Sequence, residues 1–289
     1  MTADVAIPLR VTRTRAPILR LLRAELRFMI RRPRTMAALG LAAAVPIIAA
    51  IGISVASAAP QGPPGQQAIA GLSAIVADNG LLLPVFVLLL CMTMLLPLMG
   101  TMWSADAISG EAAAGGLRNL LLAPVGRVRL LAVKAFGIAV LTFIAVTIMA
   151  VVAVIAGMAI LGGDHMLTVS GSTLPFGQSI GRIALLTVLV VIQVWGVAAV
   201  ALAVSTFTDH PLVVISVTLG GVIIFSVLTA ISTLAWLHPV LITTGWPALA
   251  DVARDPMPTD AITDGILRTG CYILIGYSVA LGRMVVRDG

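Results

Sequence analysis

The chain has 289 residues, of which 60% are apolar and 10% charged, and it carries a net charge of +6. A soluble domain carries about 25% charged residues, so these numbers exclude a soluble globular protein, a disordered chain, a collagen, a coiled coil and a disulfide-stapled secreted domain. Mean hydropathy is +1.10, and the apolar residues fall in blocks of about 20 or more, the length of a membrane-crossing helix. A basic excess can mark nucleic-acid binding, but these arginines flank apolar blocks, where orientation in a bilayer explains them better. No nucleic-acid partner is expected. Cys91 and Cys271 both lie inside apolar blocks and are expected to be packed thiols.

In chain order, residues 1–35 read as a cytoplasmic N-terminus. Within it, residues 17–32 form an amphipathic interfacial helix. Arg20, Arg23, Arg27 and Arg31 share one face, and Ile18, Leu19, Leu22, Leu26 and Met29 lie largely opposite. The helix anchors to membrane lipid or touches a cytoplasmic partner, with Arg20, Glu25 and Arg27 as the contact residues. Glu25 falls on the apolar side, so it needs a charged group on another helix or on a partner. Pro33 ends this helix.

Residues 36–289 read as one six-helix transmembrane domain, with spans at about 36–58, 80–103, 135–161, 180–206, 211–236 and 266–286. Only helices satisfy their own backbone in hydrocarbon without closing into a barrel. With both termini cytoplasmic, 15 of the 18 basic residues lie inside, which the positive-inside rule favours. The loops 59–79, 162–178 and 237–265 then lie outside. Arg182, Arg254 and Arg268 are the outer exceptions, of which Arg182 and Arg268 can snorkel to the interface. A signal-peptide reading of the N-terminus fails on length, because its basic region exceeds 30 residues and its apolar run exceeds 20.

The cytoplasmic segment 104–134 separates spans two and three. A helix is expected to start at Ser104, with Asp106 near its positive end. Gly115-Gly116 breaks it, Leu117–Leu122 starts a second short helix, and Pro124-Val125-Gly126 makes a turn. Lys134 opens span three.

Polar residues within the spans are few. Met92 and Met94 between Pro84 and Pro97, Gln193 in span four, and Ser216 and Thr218 in span five are the candidates for a substrate path. For Gln193 an interhelical hydrogen bond is the competing role, and for span five close helix packing is. There is no phosphate-cradling Gly-x-x-x-x-Gly-Lys-Ser/Thr loop, no metal constellation and no catalytic set. The chain is therefore expected to hold no catalytic residue, metal or cofactor of its own.

Glu111, Gly115-Gly116-Leu117-Arg118, then Leu121-Leu122-Ala123-Pro124-Val125, a basic pair and Lys134 together resemble the pattern of type-2 ABC permeases, the membrane subunits of type V ABC exporters. The chain departs from that pattern at Gly116, where Thr is usual, and at Val133, where Gly is usual. The Arg-rich elbow, the six spans and the 237–265 loop before span six extend the resemblance along the chain. It implies a separate ATPase subunit in two copies that holds the ATP and Mg, and a second membrane subunit forming a dimer, with an identical chain favoured. It also implies a coupling helix at Asp106, Glu111 and Gly115, flanked by Arg118. Location in a bacterial-type inner membrane follows from the same likeness. With aromatics at 4%, the cargo expected is hydrophobic or amphipathic (a drug, an antibiotic or a peptide). Export of a lipid-linked glycan and ATP-independent secondary transport are the alternatives.

Overall fold

The computed structural model describes residues 18–58, 76, 79–113, 126–163, 165–168 and 170–286. An amphipathic helix α1 (Ile18–Ile30) leads through a two-residue turn into α2 (Pro33–Ala58). Pro33 stands at the first turn of α2, where its missing N–H costs nothing. A 3-10 turn at Gly80–Leu82 opens the next span, which is split into α3 (Leu83–Met92) and α4 (Leu95–Ala107), followed by the short α5 (Ser109–Ala113). Then come α6 (Arg127–Ala156) with a π-turn at Gly157–Leu161, a hairpin β1 (His165–Leu167) and β2 (Thr173–Pro175), α7 (Phe176–Ser205) and α8 (Pro211–Ala230). Three 3-10 segments between Ser232 and Ala253 form a cap, and α9 (Asp260–Val286) closes the described chain.

Five of these helices are long and apolar enough to cross a membrane, and α3 with α4 makes a sixth span bent by 54°. The protein is an all-α membrane protein in its spans. The antiparallel hairpin, with Met166 opposite Leu174, was not expected from the sequence. It sits at the end of the molecule that also holds the cap, with Asn79 Nδ2 donating to the carbonyl of Leu167 at 2.8 Å.

The bend in the second span has a local cause. Pro97 has no N–H to give to the carbonyl of Thr93, and a proline ring clashes with the carbonyl four residues earlier. The break falls there: Met94 leaves helical geometry at φ −146°, and the Thr93 hydroxyl turns back to the carbonyl of Leu90 at 2.7 Å.

The expected helix start at Ser104 is corrected. Helix α4 runs unbroken through it to Ala107. Ser104 Oγ donates within the helix to the carbonyl of Gly100 and across to that of Ala198, each at 2.9 Å, so it staples α4 to α7 instead of capping. Asp106 therefore sits at the end of α4, where the helix dipole disfavours an anion. Helix α6 likewise starts about two turns before the expected 135, and α9 starts at Asp260, not 266.

Helix α7 is the central post and the most buried of the five unbroken spans. Small residues let its neighbours approach closely. A Cβ on Gly276 of α9 would stand 2.7 Å from the backbone of Ala199, and one on Gly196 would stand 2.7 Å from Thr269 Cγ2. Trp195 Nε1 donates to the carbonyl of Ala139 on α6 at 3.1 Å.

At the hairpin end, the second and third spans cross backbone to backbone. A Cβ on Gly80 would lie 2.3 Å from the carbonyl oxygen of Gly157, and a Cβ on Gly157 would lie 2.0 Å from that of Gly80. Gly80 N–H donates to the carbonyl of Gly162 at 3.0 Å. Neither contact can relax by moving a side chain, because backbone meets backbone. Gly157→Ala is expected to cost about 1–3 kcal/mol, the usual range for overpacking, and to lower the melting temperature of the purified protein in detergent. Gly52→Ala, with nothing within 4 Å, is expected to leave it unchanged or slightly raised.

Candidate functional site: a charge cluster at the basic end

The residues that build this site come from four elements at the arginine-rich end. Helix α1 turns its arginines outward, with Arg20, Arg23, Arg27 and Arg31 exposed, and it turns Met29 inward onto α6. Gly137 makes room there: a Cβ on it would meet Met29 Sδ at 2.8 Å and Glu25 Cγ at 3.5 Å. Glu25 lies on this inward face and reaches Lys134 of α6, Oε1 to Nζ, at 2.8 Å. Lys134 also donates to Glu111 Oε1 of α5. It is 4% exposed, so the ammonium of the chain's one lysine is buried between two carboxylates.

A second half of the cluster adjoins the first. Arg32, in the turn between α1 and α2, stands 3.7 Å from Glu111 and 3.8 Å from Asp106. It also donates to the backbone carbonyl of Asp106 at 3.4 Å and lies over the Phe28 ring at 4.5 Å. Arg34 pairs with Asp106 at 3.6 Å. Three cations and three anions therefore neutralise one another across α1, the start of α2, α4–α5 and α6. Ser109 Oγ, donating to the carbonyl of Ser205 at 3.0 Å, ties α5 to the end of α7 as well.

The two halves differ in energy. The outer pairs are long, and Arg34 is largely exposed, so they are worth at most about 1 kcal/mol each. The Lys134 pairs are short and buried, where removing one partner strands the others and costs about 3–5 kcal/mol. What the cluster does best is hold four elements in one register.

The sequence-derived residues divide as follows. Asp106, Glu111 and Glu25 come together in the cluster. Asp106 and Glu111 were expected to offer their charge to a partner; here Arg32, Arg34 and Lys134 of the same chain take it up. Arg20 and Arg27 lie on the exposed face of α1. Gly115 and Arg118, with the Leu117–Leu122 helix, lie outside the described residues. Lys134, Arg32 and Arg34 complete the cluster and were not selected from the sequence as its members. The signal was available, since Glu25 on an apolar face and a lone lysine in an apolar run each call for an opposite charge.

The candidate path residues do not gather. Met92 and Gln193 are each 1% exposed, and Thr218 is 5% exposed. Gln193 accepts from the Thr269 hydroxyl at 2.6 Å, an α7–α9 hydrogen bond inside the core. Met94 and Ser216 are exposed on the flanks of α4 and α8, which pack on each other. Cys271 is exposed, not packed, and Cys91 is buried; both are free thiols.

At the opposite end, Arg182 and Arg268 do more than reach an interface. Arg182 donates to the carbonyls of Val252 and Arg254 at 3.2 and 3.1 Å. Arg268 Nε donates to the carbonyl of Pro239 at 2.7 Å, and its Nη1 donates to the Thr244 hydroxyl. Together they pin the cap, whose Leu241, Ile242, Trp246 and Val252 are buried.

Lys134→Met is expected to lower unfolding free energy by about 3–5 kcal/mol, read as a large fall in melting temperature, because two carboxylates lose their counter-charge. Adding Glu25→Gln to Lys134→Met is expected to recover part of that loss, a coupling that a double-mutant cycle measures. Strictly additive losses would mean that Glu25 and Lys134 do not interact.

A family model described as ABC-2 family transporter protein matches residues 19–246. That stretch runs from α1, through the whole charge cluster, to Trp246 in the cap. No curated protein matches the chain. A match over most of the length, on a six-span helical membrane protein, settles the family: the chain belongs to the ABC-2 family of transporters, as a multi-pass membrane subunit that works with a partner ATPase subunit.

Proposed function

We propose that this subunit forms the membrane path of an ATP-driven exporter and receives the ATPase stroke at its basic end. The observation that carries the reading is the charge cluster. A stroke delivered beside α5 reaches α1, α2, α4 and α6 together, because Glu111, Lys134, Glu25 and Arg32 join them. The coupling segment is 104–134. Asp106 and Glu111 hold its first part to the body of the subunit, while Gly115 and Arg118 belong to the part that meets the ATPase. The basic end faces the cytoplasm, where 15 of 18 basic residues would lie, and the membrane is a bacterial-type inner membrane.

The assembly proposed is two such subunits, identical or paired with a related chain, with two ATPases that bind ATP and Mg. The mobile element downstream of the cluster is α4 against α8. The break at Thr93-Met94 lets α4 tilt without dragging α3. The cargo is hydrophobic or amphipathic, since the spans offer mostly apolar surface with Met94 and Ser216 on the exposed flanks of α4 and α8. Family membership favours an ATPase-driven cycle over the secondary-transport alternative.

The test is co-purification with the candidate ATPase, followed by ATPase activity in lipid. Glu111→Gln is expected to keep assembly and to lose most of the membrane-dependent ATPase activity, by at least about tenfold, the equivalent of roughly 1.4 kcal/mol. Arg118→Glu is expected to weaken assembly itself. If no ATPase binds and the purified chain moves solute down an ion gradient, the reading is wrong.

A further inference from the structure

Helices α7 and α9 enclose a groove of about 750 Å³ on the lateral surface of the subunit. Its walls include Val200, Val204, Cys271, Ile275 and Val279, and Phe207 closes it at the basic end. The contact of Gly276 with the Ala199 backbone brings the two helices together along it. From Asp264 to Val279 the groove follows α9 for about 22 Å at 1.5 Å per residue, most of the roughly 30 Å hydrocarbon core. The chemistry changes only at the cap end, where Asp264 and Arg268, one helical turn apart, join the lining beside Pro239 and Tyr272.

Those two charges are not used up by the fold. Arg268 gives Nε to Pro239 and Nη1 to Leu241 and Thr244, so its Nη2 has no acceptor among the described residues. Asp264 is exposed, and no ion pair involving it occurs among the described residues. The two do not pair with each other within 4.0 Å, although they stand at i and i+4, where such pairs form readily. The site thus offers a cation donor and a carboxylate side by side, at the interfacial end of an apolar furrow.

We infer that this groove binds one phospholipid with an amine headgroup. The phosphate lies against Arg268 Nη2, the ammonium against Asp264, and an acyl chain runs down between α7 and α9 toward Phe207. Phosphatidylglycerol fits less well, since its phosphate can meet Arg268 but its neutral glycerol headgroup leaves the Asp264 carboxylate without a cation. An acyl chain alone would leave both charges unanswered. The inference needs only that these helices lie in a bilayer, so it stands or falls separately from the export reading.

The test uses the full chain expressed in membranes holding phosphatidylethanolamine and phosphatidylglycerol, purified in mild detergent, with retained lipid counted by native mass spectrometry. The wild type is expected to keep about one phosphatidylethanolamine per chain, preferred over phosphatidylglycerol. Cys271→Trp, which fills the groove from an exposed position, is expected to reduce retention at least about fivefold. Asp264→Asn is expected to keep a lipid but to shift the preference toward phosphatidylglycerol by about threefold or more. Light scattering on the same samples checks for dimerisation through this face. Retention unchanged in Cys271→Trp, a lipid preference unmoved by Asp264→Asn, or an oligomeric state altered by Cys271→Trp would each overturn the inference, the last by making the groove an interface between copies.

Discussion

Lys134 is held between Glu25 and Glu111 at the point where the first amphipathic helix, the end of the second span and the start of the third span meet. The buried ammonium is balanced by both carboxylates, and its loss would strand Glu25 and leave Glu111 with the longer Arg32 contact at 3.7 Å. That mutual dependence is what makes the arrangement specific. Apolar packing would let α1 slide along α6 in several registers with little change in buried area. A lysine that must meet two particular oxygens allows one. Arg32 extends the same logic to Asp106 and to the turn into α2.

The two ends of the molecule are built by different physics. The basic end is joined by side-chain charge, which can be rearranged by a partner or by salt when it is exposed, as at Arg34. The cap end is joined mainly through backbone groups, although Arg182 also stands 3.5 Å from Asp255. Gly80 and Gly157 touch directly, and Arg182 and Arg268 hold loop carbonyls. Between them the second span is broken at Thr93-Met94. Such an arrangement suits a subunit that is driven at one end and held at the other, with the break as the place where the difference is absorbed.

Much of this was legible in the sequence. Six apolar blocks gave six spans, because length and hydrophobicity are what a bilayer selects. Glu25 was legible as a charge in need of a partner because it breaks the apolar face of an otherwise regular amphipathic pattern. Its partner was not legible, since 109 residues separate Glu25 from Lys134 and nothing local brings them together. Ser104 misled for the opposite reason. Serine before an acidic residue is a helix-start pattern, but a serine hydroxyl can also bond the carbonyl four residues back inside a helix, and tertiary contact with Ala198 decided for that. The hairpin at 165–175 was missed because three-residue strands are too short to show alternation. Gln193 could not be assigned from sequence between a path and the core; its hydrogen bond with Thr269 places it in the core.

The central claim is that α1, α5 and the start of α6 move as one body when the partner ATPase binds nucleotide. The most direct measurement is pulsed electron spin resonance on the complex in lipid, with the two native cysteines replaced. One label pair sits at Arg20 and Ala113, both exposed, and a second pair sits at Arg20 and Leu212 at the start of α8. The account predicts that the Arg20–Ala113 distance is unchanged by nucleotide while the Arg20–Leu212 distance shifts. A nucleotide-dependent change between Arg20 and Ala113 would show that the cluster opens during the cycle, and would contradict it.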